Sequence, residues 1–76
     1  MSKKKDLEKA IAESEMEIET LEQKRIRSQS SLLNAFLKHT EPSPEDVQYF
    51  NIYSSLIDLE RENLRKLHDE LDKLGD

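Results

Sequence analysis

The sequence predicts an all-α protein: a two-helix antiparallel hairpin of the coiled-coil type, set within a larger homo- or hetero-oligomeric helical bundle. Three observations predict it. Charged residues make up 38 % of the 76 positions and hydrophobic residues 34 %, with a single Gly and no Trp or Cys, which is the composition of long amphipathic helices. The only two prolines, Pro42 and Pro44, stand together near mid-chain and bar helix continuation there. On both sides of that break, apolar residues recur at alternating spacings of three and four.

Helix 1 is expected over about residues 6–39, up to the break, and no residue in that span interrupts it. A loop follows at residues 40–43. Ser43 then reads as an N-cap and Pro44 as the first helical residue, where its missing N–H costs nothing. Asp46 is placed to complete a capping-box-like arrangement. Helix 2 is expected over about residues 44–74, with Gly75 as its stop. At 1.5 Å per residue the helices would be about 50 and 46 Å long, too long to curl into a globule of this mass. The whole chain thus reads as one hairpin domain with a thin core.

The heptads give each helix a seam. In helix 1 it runs Leu7, Ile11, Ser14, Ile18, Leu21, Arg25, Ser28, Leu32, Ala35 and His39. In helix 2 it runs Asp46, Phe50, Tyr53, Ile57, Glu60, Leu64, Leu67, Leu71 and Leu74. Folding the chain back so that facing residue numbers sum to 85 matches every a position with a d position. That register pairs Ile11 with Leu74, Ile18 with Leu67, Leu21 with Leu64, Ser28 with Ile57 and Ala35 with Phe50. It also sets Arg25 against Glu60 and His39 against Asp46, so the charged intruders meet opposite charges. Arg25 and Glu60 are therefore expected to form a register-setting polar layer. Glu22 is expected near Arg61 and Glu15 near His68.

Little in the chain suggests chemistry. His39 and His68 are far apart in a hairpin and neither lies in a metal-binding frame, so no metal or other cofactor is expected. The carboxylates of Glu13, Glu15, Glu17, Glu19 and Glu22 read as a solvated face rather than a paired acid site. Without a phosphate loop or a nucleophile beside a base, enzymatic activity and a small-molecule substrate are not expected. The net charge of −5 opposes nucleic-acid binding, and the basic clusters Lys3-Lys4-Lys5 and Lys24-Arg25-Arg27 lack interleaved aromatics. Apolar runs are far too short for membrane insertion. The absence of Cys fits a reducing setting, so a cytoplasmic location is expected.

The apolar residues outside the seam are the main functional signal. Helix 1 carries Ile26, Leu33, Phe36 and Leu37, and helix 2 carries Val47, Tyr49, Ile52, Leu56 and Leu59, all in the half nearest the loop. Two helices cannot cover them, and the heptad positions spread them over opposite faces of the hairpin. Surplus of this kind marks a protein contact, either a partner helix or a second copy of the chain.

Pro42-Ser43-Pro44 followed by Tyr49, Tyr53 and Leu56 is similar to the proline turn and following helix of type III secretion needle subunits, which are helical hairpins of about this length. Asp46-Val47-Gln48-Tyr49 leading into an amphipathic helix resembles the small needle co-chaperones, two-helix proteins that keep needle subunits from polymerising. Needle subunits end in a largely uncharged apolar helix, whereas this chain ends Leu71-Asp72-Lys73-Leu74-Gly75-Asp76, so the co-chaperones are the closer likeness. That resemblance implies a small chaperone or adaptor sequestering an amphipathic helix, with Tyr49, Ile52, Leu56 and Leu59 facing the partner. A self-assembling structural coiled coil is the alternative. A third reading comes from Ser54 and Asp58, whose Ser-x-x-x-Asp spacing is similar to that of hairpin phosphatases in sporulation phosphorelays.

Overall fold

The computed structural model describes residues 2–75 and forms the expected hairpin, with α1 spanning Lys3–Leu37 and α2 spanning Pro44–Lys73. It is a rod of 55 × 16 × 14 Å, as two antiparallel helices of 35 and 30 residues require. No strand occurs among the described residues.

Each helix end has a chemical cause. Ser2 caps α1, its hydroxyl accepting from the Lys5 N–H at 3.4 Å. Ser43 caps α2 by accepting from the Glu45 N–H at 3.2 Å, with Pro44 in the first turn beside Glu45 and Asp46. The Ser43 hydroxyl thus satisfies the N–H of the second helical residue, Glu45, rather than that of the third, Asp46, the one a capping box would bind.

Helix α1 ends two residues before the expected His39. The His39 N–H donates to the Phe36 carbonyl at 3.1 Å and the Thr40 N–H to the Ala35 carbonyl at 2.9 Å. These two bonds make a Schellman motif, and it places His39 at φ 56°, the left-handed conformation usually taken by Gly. His39 is therefore an exposed loop residue and forms no seam layer with Asp46. The Thr40 hydroxyl adds a bond to the same Ala35 carbonyl at 3.2 Å. Gly75 takes the equivalent left-handed position after α2, at φ 77°.

The seam faces are those the heptads select, but the register differs by one heptad. Leu7, Ile11, Ser14, Ile18, Leu21 and Ser28 of α1 are buried, as is Ile57 of α2. Across the seam, the Ser14 hydroxyl donates to Glu60 Oε2 at 2.8 Å. In the expected register Ser14 would face Leu71, about 16 Å along the helix from Glu60, beyond the reach of either side chain. The a-to-d match allows shifts only by whole heptads, and one heptad gives facing numbers that sum to 78. Leu71 then lies level with Leu7, Leu67 with Ile11, Ile57 with Leu21 and Tyr53 with Arg25.

Burial agrees with this shift: Leu7 is 7 % exposed, whereas Leu74, expected opposite Ile11, is 42 % exposed beyond the seam. The shift sets Ile57 against Leu21 and buries it completely. It also removes the need to desolvate two facing charges in one layer. Its consequence at the loop is an overhang, because the last turn of α1 extends past the first turn of α2.

Candidate functional site

The expected Arg25–Glu60 layer does not form. Glu60 is half-buried, and its carboxylate accepts from the Ser14 hydroxyl and from the Asn63 side-chain amide at 2.7 Å. Arg25 is half-buried one heptad away on the same seam and belongs to none of the ion pairs among the described residues. The polar pin of the seam is thus Ser14–Glu60. The sequence offers one signal for it, a small hydroxyl at a d position that can follow an acidic side chain into the interface.

Charge pairs lie in the distal half, away from the loop. Arg61 meets Glu22 at 3.0 Å across the two helices, as expected. No ion pair joins Glu15 to His68 among the described residues. Arg65 binds Glu62 and, at 2.9 Å, Asp69 on its own helix. The hydrogen bond from Arg65 holds the Glu62 carboxyl below the usual carboxylate range, and the same contact raises the Arg65 guanidinium.

The loop-proximal half is different in kind. Residues 28–37 and 47–57 contain no charged side chain, and they make up most of the two facing helices there. Within or beside these stretches lie all nine candidate contact residues: Ile26, Leu33, Phe36, Leu37, Val47, Tyr49, Ile52, Leu56 and Leu59. Every one is exposed, from 38 % at Val47 to 76 % at Phe36. Phe36 and Leu37, which lie off the seam in the last turn of α1, have the highest exposures in the α1 group.

On α2 the exposed residues Tyr49, Ile52, Leu56 and Leu59 form a continuous stripe at spacings of three, four and three. The Tyr49 ring stacks on Tyr53 with centroids 6.3 Å apart, which ties the start of the stripe to the seam. A shallow open hollow runs beside it, lined by Val47, Gln48, Asn51, Ile52, Ser55 and Leu56. Its lining sets the short side chains of Asn51 and Ser55 among larger ones, the relief into which a neighbouring helix can set its ridges.

The remaining candidates stay scattered. His39 is in the loop and His68 is exposed on distal α2. Ser54 is half-buried and Asp58 exposed, one helical turn apart. Met16 is 68 % exposed among the glutamates of α1, an apolar residue that heptad reasoning passes over because it stands alone. No helix among the described residues is long and apolar enough to cross a membrane. The chain matches no protein-family model, no curated protein and no solved structure.

Proposed function

We propose that this chain is a non-enzymatic, cytoplasmic protein-binding hairpin whose loop-proximal half sequesters an amphipathic helix of a partner protein. One observation carries the reading. Nine apolar side chains are exposed in the loop-proximal half of the rod, seven of them within the uncharged stretches 28–37 and 47–57. Water around such a surface is displaced favourably by the apolar face of another helix, at about 25 cal/mol per Å² removed. The distal half, with its ion pairs and charged outer faces, then supplies length and solubility. The likeness to the needle co-chaperones of type III secretion suggests a class of partner, a hairpin subunit kept from polymerising.

The test is site-specific photo-crosslinking of the full chain in its native cell. A crosslinking residue at Phe36 should capture a partner, and the same residue at Arg65 should not. Leu33→Glu combined with Leu37→Glu should abolish the capture from position 36 while circular dichroism shows the helices intact. Equal capture from both positions, or capture that survives the double substitution, would overturn the reading.

A further inference from the structure

The two exposed faces near the loop are not equivalent, and the α2 stripe has a symmetry that the α1 group lacks. We infer that a second copy of this chain covers the α2 stripe, packed antiparallel about a two-fold axis level with Ser54. The inference goes beyond the partner-binding reading, because it assigns one face to self-association and leaves Leu33, Phe36 and Leu37 of α1 free for another protein.

The spacing is the first argument. Tyr49, Ile52, Leu56 and Leu59 follow intervals of three, four and three, which read the same in both directions. An antiparallel copy therefore sets Tyr49 level with Leu59 of the second copy and Ile52 level with its Leu56. Both contacts repeat on the other side of the axis, as an isologous interface requires. On α1, Ile26, Leu33, Phe36 and Leu37 are spaced seven, three and one, and no such superposition exists.

Charge is the second argument. The helical line through Ile52 and Leu59 continues one heptad each way to Glu45 and Lys66. Both residues are exposed, and neither takes part in an ion pair among the described residues. In the antiparallel arrangement Glu45 of one copy lies within about one turn of Lys66 of the other, at both ends of the interface. A parallel arrangement would set Glu45 against Glu45 and Lys66 against Lys66. The charges thus select the same orientation as the apolar spacing.

The stripe spans about 15 Å of helix, so the interface is at the small end for stable complexes, and the dimer should be reversible in the micromolar range. Sedimentation equilibrium of the full chain from about 1 to 200 μM tests it. The mass should rise from 8.9 kDa toward twice that value. Leu56→Glu should stay monomeric at every concentration with unchanged helicity. Glu45→Lys and Lys66→Glu should each weaken the dimer about fivefold, and the double swap should restore it. Because both charged positions are exposed, this arm remains readable even where Leu56→Glu disturbs the fold. A wild-type chain that stays monomeric to 200 μM, association indifferent to Leu56→Glu in a folded protein, or a double swap weaker than either single change would overturn the inference. Capture through Phe36 does not depend on the α2 stripe, so failure here leaves the partner-binding result readable by itself.

Discussion

The two halves of the rod solve the burial problem differently. In the distal half, Leu7, Ile11, Ile18 and Leu21 are buried against the Leu-rich end of α2, and the core closes at the level where Leu21 meets the fully enclosed Ile57. Around it the outer faces are charged and cross-linked by Arg61–Glu22 and by Arg65 with its two acidic neighbours. Nearer the loop, Leu32, Ala35, Phe50 and Tyr53 occupy the seam but remain half-buried, and the buried seam residue there is Ser28. The same two-helix architecture is therefore self-sufficient at one end and under-covered at the other. A hairpin cannot bury more than one stripe per helix, so apolar residues beyond that stripe must find their cover in another molecule.

The largest expected break in this contrast is Ile57→Ala. It opens a cavity in the most enclosed layer and should cost about 2–5 kcal/mol in chemical denaturation, whereas Phe50→Ala in the half-buried region should cost clearly less. Equal losses would mean that the loop-proximal half packs as well as the distal one.

Next in size is the polar pin. A double-mutant cycle on Ser14→Ala and Glu60→Gln should show a coupling of about 1.5 kcal/mol, the low end of the range for hydrogen bonds to a charged group. The same cycle on Arg25 and Glu60 should show a coupling near zero. The reverse pattern would restore the register one heptad away.

At the loop, His39→Gly should raise stability by about 1 kcal/mol, because Gly takes the left-handed conformation without the Cβ clash that His carries. A fall in stability would show that the His39 side chain contributes more than its backbone costs.

The smallest effect concerns Glu62. Its folded carboxyl is held below its unfolded value by Arg65, so the contribution is present above the unfolded pKa and is lost as pH falls through the folded one. Glu62→Gln should therefore leave a slightly shallower acid limb in stability measured from pH 5 to pH 2. An unchanged limb would show that this exposed contact adds nothing.

Much of this was legible before folding. Composition, the proline pair and the heptads identify both helices, and the same heptads select the residues that line the seam. The nine exposed apolar residues follow from the same pattern, since what lies off a two-helix seam has nowhere to be buried. The register was not legible, because 85 and 78 both match every a with a d and only a packed seam separates them. Arg25 and Glu60 made the longer register attractive by complementary charge. In the folded chain the burial of Leu7 and Ile57 outweighs that attraction, since two charges brought into one seam layer recover little of their desolvation cost.

By itself the sequence determined the hairpin, the faces of its helices and the uneven placement of its apolar third. These depend on local periodicity, which every turn of helix repeats. The tertiary structure alone decided which turn meets which, where α1 overhangs α2, and that Ser14 rather than Arg25 holds Glu60. Those outcomes depend on the summed fit of two surfaces along some 40 Å of shared seam, and no single residue pair carries enough energy to announce that fit in advance.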